Sequence, residues 1–206
     1  MTLPVLFPVQ SSTIWKSLPY SKRDINCLAI ACVPNSSLII EYLDLASLEP
    51  VRQFADKVTQ THPKTDFLIN NAGSALDKYS TTKDGFEQAF GVHHLGHFLL
   101  TKLLLPVLKT AASSRIIIVS STAYCHGQLH KSDLRMTAEN YGMLSAYHFS
   151  KLTNLMHAVE LSKRLEGTRV IAVSIHPGVV ESELRRGIDS VSMASGLTSN
   201  FLAFVI

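Results

Sequence analysis

No glycine occurs before Gly73 in this 206-residue chain, so residues 1–72 contain no glycine-rich phosphate-binding turn. Such a turn exists because a pyrophosphate must approach the backbone amides of a helix N-terminus more closely than any side chain permits. Cysteine is scarce too: Cys27, Cys32 and Cys125 form no CxxC pair and are odd in number, which suits a reducing compartment better than a disulfide framework. Long apolar runs are missing. Residues 3–9 fall far short of the ~20 that a membrane helix needs, and Pro4 and Pro8 interrupt them. The run Phe201-Leu-Ala-Phe-Val-Ile206 is also too short to span and reads as a core segment or an adhesive tail. Charge of one sign is nowhere concentrated: 19 Lys and Arg are scattered among 16 Asp and Glu, for a net charge of +3, and nothing implies nucleic acid as a partner. Asn35-Ser-Ser37 fits a glycosylation triplet, which matters only in a secreted chain. Internal repeats and low-complexity stretches are absent.

What the chain does have is apolar content and rhythm. A hydrophobic fraction of 46% is ample for the core of one domain. Four β-rich runs, Leu38 to Leu43, Phe67 to Asn70, Ile116 to Ser120 and Val170 to Ile175, alternate with helical patterns near 47–61, 83–110 and 144–165. The middle helix is expected to bury a stripe of Leu95, Phe98, Leu99, Leu103 and Leu104 and to bend near its end at Pro106. This βαβ order predicts an α/β fold, a doubly wound parallel sheet of Rossmann-like type, with ligands at the carboxyl ends of the strands.

The most chemically telling pair is Tyr147 and Lys151, in Ser145-Ala-Tyr-His-Phe-Ser-Lys151. Residues four apart share one helix face, so the Lys151 ammonium is expected beside the Tyr147 phenol, favouring its phenolate. Lowering a tyrosine from near 10 to about 7 requires roughly 4 kcal/mol. Ser121 ends the apolar Ile116 strand, at the edge where a doubly wound sheet presents its chemistry.

These residues and their neighbours resemble the short-chain dehydrogenase/reductase family, in its retinol-dehydrogenase-like branch. Leu43-Asp-Leu45, Leu68-Ile-Asn-Asn-Ala-Gly73, His94-Leu-Gly-His-Phe98, Val119-Ser-Ser121, Tyr147 to Lys151 and His176-Pro-Gly-Val-Val180 follow one another in the family's order over residues 37–186. The resemblance implies an NAD(P)-dependent oxidoreductase that moves hydride between a nicotinamide and a hydrophobic alcohol or carbonyl, retinoid-like or steroid-like. Catalysis would fall to Ser121, which hydrogen-bonds the substrate oxygen, to Tyr147, which takes the alcohol proton or gives one to the carbonyl, and to Lys151, which favours the phenolate. Asn70, Asn71, Ala72 and Gly73 would line the cofactor and steady the sheet, though as residues they also read as a strand-ending turn. Asp44, with Leu45, would meet the adenine ring; a place in the N-terminal cap region of the next helix is the other reading. Pro177, Gly178 and Val180 would turn over the nicotinamide, with Ser182 where relatives carry threonine. The polar segment 122–143 would border the substrate.

The resemblance also has gaps. Position 93 is histidine where relatives carry the asparagine that supports the catalytic lysine through water, and imidazole does not reproduce both amide groups at once. The first two family strands, which lie between the Leu38 and Phe67 strands in relatives, have no counterpart. At about 4.8 Å per strand, the hole left is roughly 10–15 Å wide. Val5-Leu-Phe and Cys27 to Val33 are the available substitutes, with Asp24 to Val33 alternatively the remnant of the helix leading into the Leu38 strand. The expected organisation is an atypical segment 1–36 followed by a family domain 37–206, incomplete at both ends. Cofactor affinity is expected to be weakened, and NAD and NADP are not distinguished.

The residues admit three other readings. A metal site on His93, His94 and His97 lacks an HExxH pattern and an obvious third ligand. A serine hydrolase built on Ser121 lacks the G-x-S-x-G elbow. A non-catalytic form that pairs its open sheet edge with a full-length relative, as a homo- or heterodimer, is favoured by the missing glycine turn. A cytoplasmic-side or peripheral-membrane location is favoured.

Overall fold

A computed structural model of the chain describes residues 4–9, 37–73, 78–129 and 136–178. It divides into two compact units on either side of the Asp44–Leu45 peptide. In the first, β1 (Pro4–Val9) runs parallel to β2 (Ser37–Tyr42), in register from Pro4 opposite Ser37 to Val9 opposite Tyr42. The Val5-Leu-Phe run therefore does form a strand, and its two prolines are tolerated because β1 is an edge strand. Cys27 to Val33 and the Asn35 triplet lie outside the described residues.

The second unit carries the site. Its strands β3 (Phe67–Asn70), β4 (Ser114–Val119) and β5 (Val170–Ile175) form a parallel sheet in sequential order. Pairing runs from Phe67 opposite Arg115 and from Ser114 opposite Val170. Among the described residues, the long helices of this unit are α1 (Leu48–Thr61), α2 (His97–Thr110) and α3 (Met143–Arg164). One sheet face, with Leu68, Asn70, Ile116, Ile118, Val170 and Ala172, is buried against α2 and α3. Ile116 and Ile118 are essentially inaccessible, and each such side chain contributes about 2 kcal/mol of burial. Helix α1 turns Val51, Phe54, Ala55 and Val58 inward and packs on α2. The fold is the expected α/β, Rossmann-like one.

The segment expected as one helix from 83 to 110 is built differently. Gly85 takes φ +83°, and Thr81 bridges to Glu87. Both Glu87 carboxylate oxygens accept from the amides of Ala89 and Phe90 at 2.8 Å, so helix begins only at Gln88. A π-helical stretch, Gly91–Gly96, follows and leads into α2, which continues through Pro106. The expected apolar stripe is corrected as well. Phe98 is 44% exposed, and the buried face of α2 is His97, Leu100, Thr101, Leu104, Val107 and Leu108. Doubled leucines supply two adjacent faces, and the choice falls on the one whose polar members are satisfied: His97 by the carbonyl of His93, Thr101 by the Asn70 amide.

Candidate active site at the carboxyl end of the three-stranded sheet

Strand β4 ends at Val119, and the next two residues tie it to α3. Ser120 Oγ donates to the carbonyl of Lys151 at 2.7 Å. Ser121, extended in backbone, opens a 3-10 turn over Thr122–His126 and accepts from the Ala123 amide at 3.2 Å. Its hydroxyl also favours the ionised form of the half-buried phenol of Tyr147. One helical turn further along α3, Lys151 is buried, with Nζ donating to the carbonyl of Val119 at 3.2 Å. Asn154 Nδ2 reaches the same carbonyl at 3.2 Å. Ser121, Tyr147 and Lys151 thus converge at one strand end, where the sequence puts them.

The electrostatics of the pair differ from the expectation. Burial raises the Tyr147 phenol above its usual value, offset in part by the Ser121 hydroxyl. Burial pulls Lys151 down to about 8. The ammonium is 5.5 Å from the centroid of the Tyr147 ring and is engaged with Val119, so among the chain's own groups desolvation outweighs its attraction for a phenolate. Shared helix face brings the two side chains close; the hydrogen-bond partner of each is decided by the end of β4.

His93 sits in the π-helical stretch, fully buried. Its Nδ1 is 2.8 Å from Ser150 Oγ, and its ring stands edge-on to that of Tyr147, 5.9 Å between centroids at 87°. Nδ1 of His97 is 3.0 Å from the carbonyl of His93. His94 stacks on Phe90 and meets His157 edge-on. The imidazoles that suggested metal ligands are thus parts of a buried packing and hydrogen-bond cluster. Burial lowers both His94 and His97 to about 4.

Of the cofactor residues, Asn70 ends β3 fully buried, donating to Thr101 Oγ1 at 2.8 Å. Asn71 is exposed, and Ala72 and Gly73 are half-buried at the carboxyl end of β3. A Cβ on Gly73 would stand 3.1 Å from His93 Nε2. Pro177 and Gly178 follow β5 half-buried, and Gly178 adopts φ +81°. Small, partly open backbone at the carboxyl ends of β3 and β5, with the hydroxyls of Ser121 and Tyr147 after β4, fits the nicotinamide and ribose half of a dinucleotide. Asp44 falls in the other unit. The cap of α1 is Ser47, with Asp84 accepting from the Leu48 amide at 2.9 Å, so Asp44 is not that cap. Leu45 is buried, its carbonyl 2.8 Å from where a Cβ on Gly96 would stand. Val180 and Ser182 lie outside the described residues. Sequence reasoning missed Ser150 and Asn154; the available signal was their position at i+3 and i+7 from Tyr147.

A family model described as short chain dehydrogenase matches residues 21–191. The chain belongs to the short chain dehydrogenase family. Among its relatives, retinol dehydrogenase 14 of Homo sapiens is 49% identical over 151 residues, covering 73% of this chain and 45% of the relative. Retinol dehydrogenase 13 of Homo sapiens is 47% identical over 152 residues, covering 74% and 46%. This short chain dehydrogenase spans about half the length of the curated relatives it matches. In structure it is similar to an uncharacterised protein from Mycobacterium paratuberculosis, at TM-score 0.65 and 38% identity over 81% of this chain and 59% of the other. It is also similar to an NADPH-bound carbonyl reductase from chicken fatty liver, at TM-score 0.55 and 26% identity over 78% and 65%. No helix among the described residues is long and apolar enough to cross a membrane.

Proposed function

We propose that this chain carries the proton-transfer site of an NAD(P)-dependent oxidoreductase acting on a hydrophobic alcohol or carbonyl of retinoid-like or steroid-like size. The observation that supports it is the convergence of Ser121, Tyr147 and Lys151 at the end of β4, with Lys151 Nζ 5.5 Å from the centroid of the Tyr147 ring and bonded to the carbonyl of Val119. A bound nicotinamide supplies or accepts the hydride. Ser121 holds the substrate oxygen, and Tyr147 gives that oxygen a proton in reduction or takes it in oxidation. The raised phenol suits the donating role at neutral pH, because the proton is present when needed. Lys151 and Asn154 together fix the carbonyl of Val119, and with it the strand end that carries Ser121. Names of the relatives support a retinoid-like substrate. Residues 1–72 lack a glycine turn, so dinucleotide binding is weaker than in proteins that have one.

Nicotinamide fluorescence on titration with NADPH and NADH, followed by a reductase assay on a retinal-class aldehyde, tests this. Tyr147→Phe is expected to keep binding and to lose about 100-fold or more in turnover. Equal turnover by the two proteins removes the role given to Tyr147.

A further inference from the structure

Ser150 stands between His93 and Tyr147 with a single hydroxyl proton to give. Its Oγ is 2.7 Å from the main-chain carbonyl of Tyr147 and 2.8 Å from Nδ1 of His93. A carbonyl only accepts, so the hydroxyl proton goes to Tyr147 and the oxygen is left to accept from the ring. Both bonds can be made only if Nδ1 of His93 carries a proton. The next contact back has the same sense: the carbonyl of His93 accepts from Nδ1 of His97 at 3.0 Å. Three hydrogen bonds thus run in one direction, from the His97 ring to the His93 backbone, from the His93 ring to Ser150, and from Ser150 to the backbone of Tyr147.

Burial makes this link decisive. His93 and Ser150 are both 0% exposed. Bulk water therefore cannot replace either partner, and each sets the orientation of the other. The His93 ring also packs edge-on against the Tyr147 ring, so one imidazole contacts both the backbone, through Ser150, and the side chain of the same residue. A ring held this way presents Nε2 on the side of Gly73.

We infer that His93 is a positioning residue for Tyr147: held with its proton on Nδ1 by Ser150, it locks the turn of α3 that carries the phenol, a task different from the water-mediated support of the lysine that the resemblance assigns to asparagine at this position. Its kinetic consequence rests on the oxidoreductase reading above; its tautomer does not. A ring that merely filled space would be indifferent to which nitrogen carries the proton.

The test is 15N NMR of the full chain labelled at histidine, with the His93 signal assigned by its loss in His93→Phe. The expected spectrum has His93 protonated at Nδ1, a shift towards the Nε2-protonated form in Ser150→Ala, and no change in Ser162→Ala, an exposed position on the same helix. Protonation at Nε2 in the unaltered chain overturns the inference, as does a tautomer unmoved by Ser150→Ala. Where His93→Phe fails to fold, Ser150→Ala and the unaltered chain still decide. Tyrosinate absorbance, taken as the difference from Tyr147→Phe, reads the phenol without turnover. It is expected to shift in Ser150→Ala, and an unshifted curve overturns the positioning role. If the chain reduces its substrate, Ser150→Ala and His93→Phe should each lower kcat about tenfold with KM unchanged, and the double variant should fall no further. Additive losses mean the two residues act separately, which also overturns the link. A protein with the expected tautomer and titration but no turnover leaves the inference standing and removes the oxidoreductase reading.

Discussion

Lys151 Nζ lies 5.5 Å from the centroid of the Tyr147 ring and gives its hydrogen bond to the carbonyl of Val119, 3.2 Å away. That carbonyl has a second donor in Asn154, also at 3.2 Å. The lysine is therefore not needed to satisfy the strand end, and its burial holds it at about 8 against an ordinary value of 10.5. Because the folded value is depressed, the unfolded chain holds more protons between those two pH values, and stability rises with pH across the window. The difference, 10.5 less about 8, corresponds to about 3 kcal/mol at most. Lys151→Met is expected to be more stable than the unaltered chain at pH 7, with the advantage gone above pH 10.5 and activity lost throughout. Urea unfolding at pH 7 and pH 10.5 measures it. A destabilised Lys151→Met at pH 7 means the ammonium has better support than Val119 alone.

Ser121 bears on Tyr147 in the opposite sense from burial. Its hydroxyl draws the raised phenol back down, so Ser121→Ala should push the alkaline limb of the rate profile to higher pH. The same change removes the donor that holds the substrate oxygen, costing about 100-fold in kcat. A pH profile of kcat for both proteins reads the two effects separately. An alkaline limb that stays put in Ser121→Ala assigns that limb to a group other than Tyr147.

The strands of the second unit were legible because a parallel sheet writes itself as short β-branched runs, and Phe67–Asn70 and Val170–Ile175 match their runs end to end. Helix α3 was legible from its periodicity. The site triad was legible because two signals met: the i, i+4 spacing on a helix and a serine just past a buried strand. The region 83–110 was not, since its true start depends on a Glu87 carboxylate turning onto two amides, and an acidic residue there also suits a helix interior. The buried face of α2 was misread for a related reason. His97 and Thr101 are polar, and their partners, the His93 carbonyl and Asn70, are set by tertiary structure that apolar periodicity does not encode. The hydrogen bond that matters most to Lys151 is likewise invisible from spacing, because it depends on where β4 stops.

Gly73 is placed where a side chain would meet His93. An added Cβ would stand 3.1 Å from Nε2 and 3.3 Å from Cδ2 of a ring that is sealed and tied to Ser150. The ring must give by a few tenths of an ångström, and Tyr147 shifts with it. Gly73→Ala should cost about 1 kcal/mol in stability, at the low end for overpacking, but about tenfold in kcat. Gly178→Ala, which forces a side chain into φ +81°, should cost 1–2 kcal/mol as an order-of-magnitude figure without moving the Tyr147 titration. Chemical denaturation and tyrosinate absorbance on the two variants separate packing on the His93 ring from backbone strain. Equal displacement of the titration by both would place Gly73 among ordinary loop glycines.

Acid should unfold this protein through its buried imidazoles. His94 and His97 are both held at about 4 by burial, against 6.5 when free. Their folded values are depressed, so the stability they contribute is complete above pH 6.5 and is lost as pH falls through about 4. A proton on His97 would also face Lys151, His94 and His157, all repelling it. For His97 alone the loss approaches about 3 kcal/mol, enough to matter for a domain of ordinary stability. His97→Asn retains a side-chain donor for the carbonyl of His93 but does not titrate in this range. Urea unfolding between pH 7 and pH 4 should show a steep decline for the unaltered chain and a shallower one for His97→Asn. Parallel declines would mean that His97 is hydrated in solution, and would shift the acid sensitivity to His94 and His157.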